Sequence, residues 1–294
     1  MPTSTEYRRT EYRRYVALGD SQTEGLGDGD DTAGLRGFAD RFAGHLERAR
    51  PGLLYANLAV RGRLAGQVRA EQLAPALALR PDIATVVAGV NDVLRPRFVA
   101  AEVAGHLEEM FAALTATGAH VATVTFPDIG RIAPLARPLA PRLLELNELV
   151  RAAAARHGVF VAETALPEAV ADPRMWTEDR LHASSLGHER IAAALAHAVG
   201  LPGSDDTWTR PLPPPDALRR SAVAAELRWA TAFLGPWLGR RLRGRSSGDG
   251  RTAKRPDLLP LAGGSAGGGD PTASRDVSAR SGTAGRAVRR LGSR

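Results

Sequence analysis

Short apolar runs recur along the chain, and each stops at a glycine or a polar residue. Tyr15-Val16-Ala17-Leu18 ends at Gly19-Asp20-Ser21, and residues 53–58 break at Arg61-Gly62. Ile83-Ala84-Thr85-Val86-Val87 ends at Gly89-Val90-Asn91-Asp92, and residues 120–126 and 159–162 repeat the pattern. Runs of this length and punctuation predict buried strands. Between them the apolar spacing changes to three and four, as in Phe38, Phe42 and Leu46, or Val99, Val103, Leu107, Met110, Phe111 and Leu114. That spacing predicts helices with one apolar stripe. Further helices are expected up to about Leu79, over 141–157, and over 184–199 with Ser184 or Ser185 as cap. Residues 25–34 are a loop rich in glycine and aspartate, and a proline-broken loop spans 127–141.

Strands that alternate with helices predict a parallel sheet covered on both faces and joined by right-handed crossovers. The expectation is a three-layer α/β/α, flavodoxin-like domain of five parallel strands in the order 2-1-3-4-5 over residues 15–202. An N-terminal arm, 1–14, precedes it. Residues 203–243 read as a proline spacer, Pro211 to Pro215, and a helical extension over 217–238. The helix either docks on the body, the preferred reading, or lies with its basic cluster on an anionic membrane surface. Residues 244–294, rich in arginine, serine and glycine, are expected to be disordered.

Composition changes this picture in three places. The chain has no cysteine, which removes disulfides, thiol nucleophiles and thiolate metal sites. Its only lysine is Lys254, so Schiff-base chemistry and a lysine phosphate loop have no residue in the body. The net charge of +7 is confined to the end of the chain, because residues 240–294 hold 13 Arg/Lys against 4 Asp/Glu. The body is close to neutral, which argues against nucleic acid as its partner. No apolar stretch of signal-peptide length follows the N-terminal arginines, and the longest uncharged apolar segment, 191–201, is too short to span a membrane. A cytoplasmic protein is the expectation.

Ser21 stands at the carboxyl end of the first strand, the edge of an open α/β sheet where ligands bind. It needs a base and a stabiliser of the oxyanion it creates. Asp179-Arg180-Leu181-His182 puts a carboxylate and an imidazole three residues apart, so that one ring nitrogen can bond the carboxylate while the other faces outward. In the expected strand order, the ends that carry Ser21, Gly62 and Asn91 are neighbours and converge.

These blocks resemble those of SGNH, or GDSL-type, serine hydrolases. Gly19-Asp20-Ser21 matches the first block, Gly62 the second, Gly89-x-Asn91-Asp92 the third and Asp179-x-x-His182 the last, in order. The resemblance implies a metal-independent esterase or lipase-like hydrolase that works through an acyl-enzyme without a cofactor. In it Ser21 is the nucleophile, His182 the base and Asp179 the group that orients it. The Ser21 and Gly62 N–H groups and the Asn91 amide are the implied oxyanion hole, with Asp20 and Asp92 bracing the turns. A small-molecule or lipid ester is the implied substrate, and the apolar 127–141 loop leans towards an acyl-chain wall. Two departures stand out: Gln22 where leucine usually follows the serine, and Ala183 where proline often follows the histidine. Both positions are read as carrying no chemistry.

Competing readings fare less well. His182 and His188 have no common metal-ligand spacing. The run Gly25-Leu26-Gly27-Asp28-Gly29 lacks the dinucleotide fingerprint. Gly244-Arg245-Ser246-Ser247-Gly248 fits a nucleophile elbow in letters but lacks its strand and helix. His45, His106, His120, His157, His188 and His197 read as structural. An acyltransferase with the same residues, or an inactive binding module of this fold, are the alternatives to hydrolysis.

Overall fold

A computed structural model of the chain describes residues 11–214, 231, 232 and 247–261. Strand β1 (Arg14–Gly19) forms from the first apolar run and leads into a single helical turn, α1 (Ser21–Glu24). A small hairpin, β2 (Gly29–Asp30) and β3 (Gly34–Leu35), lies within the glycine-rich loop ahead of α2 (Phe38–Ala49). Then come β4 (Leu54–Asn57), α3 (Ala65–Ala78), β5 (Ile83–Val87), the short α4 (Val90–Val93) and α5 (Ala100–Thr115). The body closes with β6 (His120–Val124), α6 (Ile129–Ile132), α7 (Ala140–His157), β7 (Phe160–Ala162) and α8 (Ser185–Val199). Ser184 is the cap of α8, its hydroxyl accepting from the Gly187 N–H. Within the proline-broken loop, α6 and a 3₁₀ turn, Pro134–Leu139, replace open coil.

The main sheet has the order β7-β6-β5-β1-β4-β8. Its parallel part, β4-β1-β5-β6-β7, is the expected order 2-1-3-4-5. Helices α2 and α8 pack together on one side, and α3, α5 and α7 on the other. The residues between Tyr15 and Leu18 are wholly buried, as β1 lies mid-sheet under both helical layers. Tyr15 stacks on Tyr55 at 5.1 Å, meets Phe42 edge-on, and shares a 2.8 Å hydrogen bond with Thr85 that satisfies its buried hydroxyl. Each such side chain contributes about 1.5–3 kcal/mol through its burial.

The sixth strand corrects the expectation of five strands, and that of disorder for the part of the tail over 247–261; residues 244–246 and 262–294 lie outside the described residues. Residues 255–260 form β8 (Arg255–Pro260), antiparallel to the edge strand β4. The segment has two prolines and no alternating pattern, so it carries no strand signal of its own. An edge strand tolerates proline, and β4 offers a row of unpaired backbone groups as a template. Side chains reinforce the pairing. Arg255 donates to the Tyr55 carbonyl at 2.7 Å and lies over the Tyr55 ring, while Lys254 reaches Asp40 at 2.6 Å. Most of the N-terminal arm, and the helix expected over 217–238 apart from residues 231 and 232, lie outside the described residues. No helix among the described residues is long and apolar enough to cross a membrane.

Candidate active site

The strand end that presents Ser21 is fixed by two devices. Gln72, buried on α3, accepts from the Gly19 N–H and donates to the Gly19 carbonyl, both at 2.9 Å. At Gly19 a Cβ would lie 2.4 Å from the Val87 carbonyl oxygen, so the close approach of β1 to β5 requires glycine there. Asp20 then caps α1, accepting from the Gln22 N–H, and Ser21 becomes the first residue of that turn. Burial pushes the Asp20 carboxyl up to about 7, against the opposing hydrogen bond from Gln22.

The last block meets this turn from the far end of the chain. His182 Nε2 lies 2.9 Å from Ser21 Oγ, and His182 Nδ1 lies 2.6 Å from Asp179 Oδ2. The other oxygen of Asp179 accepts from the Leu181 and His182 N–H groups and from the Thr177 hydroxyl, at 2.9, 3.0 and 2.6 Å. Burial alone would raise this carboxyl. The hydrogen bond and charge of His182, with the other donors, hold it well below the usual carboxylate range. Arg180 adopts a left-handed conformation, φ 56°, between the carboxylate and the imidazole. That costs about 1–2 kcal/mol and bends the chain so that its next two N–H groups face Asp179.

The remaining sequence-selected residues sit on neighbouring strand ends. Asn91, buried at the start of α4, donates from Nδ2 to Asp20 Oδ2 at 3.1 Å and to the Arg63 carbonyl at 3.2 Å. Asp92 accepts from the Ala65 N–H and so ties this turn to α3, and its burial pushes its carboxyl up to about 6. Gly62 lies on the turn after β4. Ser21, Asp179 and His182 are therefore joined in one hydrogen-bonded chain, with Asn91 linked to it through Asp20.

Six residues to which the sequence assigned no part in the site, Glu24, Arg61, Asp31, Arg251, His188 and Gln22, hold these pieces together. Glu24, on α1, takes the Arg61 backbone N–H at 2.6 Å and the Arg61 guanidinium at 2.6–3.1 Å. The Ser21 turn and the Gly62 turn are thus clamped by a buried ion pair. Asp31, on the loop between β2 and β3, also binds Arg61, and Arg251 from the segment before β8 binds Asp31 in turn. His188 stands among the histidines read as structural, and its contacts define that role. Its Nδ1 accepts from the Phe38 N–H at 3.1 Å and its Nε2 reaches the Leu26 carbonyl at 2.9 Å, which fixes the tautomer with the proton on Nε2. Gln22 was read as carrying no chemistry, yet its amide reaches both neighbours of His182. Only Gln22 left a sequence signal, as a departure from the usual motif. The others are ordinary charged or ring residues whose partners lie far away in the chain.

Residues 17–190 match the model of the GDSL-like lipase/acylhydrolase family. No curated protein matches the sequence. Among solved structures, the chain is similar to LAE5, an α/β hydrolase enzyme from the metagenome of Lake Arreo, Spain. The identity there is 24% and the TM-score 0.54, over 64% of this chain and 95% of that one. It is also similar to a variant of Axe2, an acetyl xylan esterase from Geobacillus stearothermophilus, with 20% identity and a TM-score of 0.51 over 64% of this chain and 95% of that one. With the family blocks at the strand ends of this sheet, the chain belongs to the GDSL-like lipase/acylhydrolase family of carboxylic ester hydrolases.

Proposed function

We propose that the chain cleaves carboxylic esters through an acyl-enzyme formed on Ser21. The observation that carries this reading is the unbroken chain Ser21 Oγ, His182 Nε2, His182 Nδ1, Asp179 Oδ2, at 2.9 and 2.6 Å. His182 takes the Ser21 proton as the Oγ–acyl bond forms, and the C–O bond of the tetrahedral intermediate then breaks as His182 returns that proton to the leaving alcohol. Water then attacks the acyl carbonyl as the same imidazole takes its proton; the C–Oγ bond breaks, His182 returns the proton to Ser21 Oγ, and the carboxylic acid leaves. Asp179 keeps the proton on Nδ1 and stabilises the imidazolium.

The oxyanion is assigned to the backbone N–H groups of Ser21 and Gly62 and the Asn91 amide. Asn91 is already aimed by Asp20 and the Arg63 carbonyl, and an arriving oxyanion would take over one of those two contacts. Preorganised amide donors lower the barrier because they need no reorientation as charge develops. All roles are filled by side chains and backbone, so no metal is called for. A small-molecule or lipid ester is the proposed substrate.

The test is turnover of a short p-nitrophenyl ester. Ser21→Ala and His182→Ala should abolish it with the thermal midpoint preserved, a fluorophosphonate should label Ser21, and dialysis against EDTA should leave kcat unchanged. Wild-type rates in Ser21→Ala would overturn the assignment.

A further inference from the structure

We infer that Gln22 is a positioning residue that holds the imidazole loop on the nucleophile turn, and that Gln22 and Ala183 act as a coupled pair. The inference rests on the assignment of His182 as the base. Gln22 Nε2 donates to the Leu181 carbonyl at 2.8 Å, and Gln22 Oε1 accepts from the Ala183 N–H at 3.3 Å. One primary amide therefore bonds the residues on both sides of His182, from the position next to Ser21. The nucleophile and its base are 161 residues apart in sequence. The Gln22 side chain ties their two backbones directly.

The loop's other bonds leave that donor free for the purpose. Residues 176 and 183 form an antiparallel bridge, in which the Thr177 N–H donates to the His182 carbonyl and the Ser184 N–H to the Met175 carbonyl. In this pattern the groups on either side of Ala183 face the partner strand, and the Ala183 N–H takes no part in the bridge. It turns instead to Gln22.

On the other side of the loop, Gly27 presses against the Ala183 carbonyl. A Cβ there would lie 2.1 Å from that oxygen, and Gly27 has φ 97°, so only glycine fits. Ala183, the residue that follows His182, is thus held at its N–H by residue 22 and at its carbonyl by residue 27, both on the segment that begins at Ser21.

The two departures from the usual motif are then one feature. Leucine at 22 can neither donate nor accept, and proline at 183 has no N–H to offer. The bond from the Ala183 N–H to Gln22 needs both departures, while the bond from Gln22 to the Leu181 carbonyl needs only the first. A purely structural contact would affect stability. A positioning contact must affect the reactivity of Ser21, because a displacement of about 1 Å between reacting groups can cost roughly 10²-fold in rate.

The experiment is a double-mutant cycle of Gln22→Leu, Ala183→Pro and the double variant. It is read as kcat and KM for a short p-nitrophenyl ester, as the rate of fluorophosphonate labelling, and as hydrogen exchange of residues 180–184. Gln22→Leu is expected to lower kcat and the labelling rate together, by about 10- to 10²-fold, with KM within twofold of wild type and faster exchange over 180–184. Ala183→Pro should cost less in the Gln22→Leu background than in wild type. Wild-type labelling by Gln22→Leu, or single effects that multiply independently, would overturn the inference. Ser21→Ala separates the two layers. If it is inert while Gln22→Leu behaves as wild type, only the clamp fails; if it turns over ester, the catalytic reading fails and takes the clamp with it.

Discussion

At the residue scale, the site depends on hydrogen bonds that fix tautomers and amides before substrate arrives. Asn91 is the clearest case, as its side chain is placed by Asp20 and by the Arg63 carbonyl. In the proposed oxyanion role, Asn91→Ala should reduce kcat by roughly 10²–10³, the usual effect of one lost oxyanion donor, with KM little changed in steady-state ester hydrolysis. The Arg61 and Glu24 pair predicts a stability effect instead. Both side chains are buried, so Arg61→Ala leaves the Glu24 carboxylate with the residue 61 backbone N–H and without its cationic partner. A loss of about 3–5 kcal/mol in chemical denaturation is expected, and Glu24→Gln combined with Arg61→Ala should recover part of it. Ser21, Gly62, Asn91, Asp179 and His182 could be nominated from the sequence because each stands in a short block at a strand end or just before a helix. Glu24 and Asp31 could not, since a glutamate on one turn and an aspartate on a loop are commonplace until Arg61 is seen between them.

At the element scale, the boundaries of the parallel strands and of the long helices follow the apolar pattern because each is buried against a neighbour with the same period. The register of β1 against β4 and β5 brings their carboxyl ends together, which is why Ser21, Gly62 and Asn91 share one edge. Strand β8 obeys a different rule. It exists because β4 would otherwise be an open edge, and its order comes from pairing, with help from Arg255 and Lys254. Removing residues 247–294 should expose β4 and produce concentration-dependent self-association, visible in sedimentation velocity, together with a lower thermal midpoint. The same segment carries Arg251 to Asp31, so its loss also releases one of the two cations on that loop.

At the scale of the whole molecule, buried titratable groups give the stability opposing pH dependences. Burial pushes His188 down to about 4, so between that value and about 6.5 the unfolded chain binds a proton that the folded chain refuses. Its contribution is complete above about 6.5 and is lost as pH falls towards 4. Burial raises Asp20 to about 7 and Asp92 to about 6, so the folded chain keeps protons that the unfolded chain releases near 4, and stability falls as pH rises through that window. Relative to wild type, Asp20→Asn should therefore gain stability as pH rises from about 4 to 7, and His188→Gln should gain as pH falls from about 6.5 to 4. Urea unfolding at stepped pH measures both. The family and the alternation of strands and helices were legible in the sequence alone, because apolar period and short chemical motifs are local properties; the same motifs nominated the proposed triad, and the strand order matched the expectation only once the sheet was seen. The edge strand drawn from the basic tail, the Glu24–Arg61–Asp31–Arg251 chain and the grip of Gln22 on the imidazole loop were decided only by tertiary structure. Each joins residues whose separation along the chain gives no sign that they will meet, and a hydrogen bond or ion pair acquires its meaning from its partner.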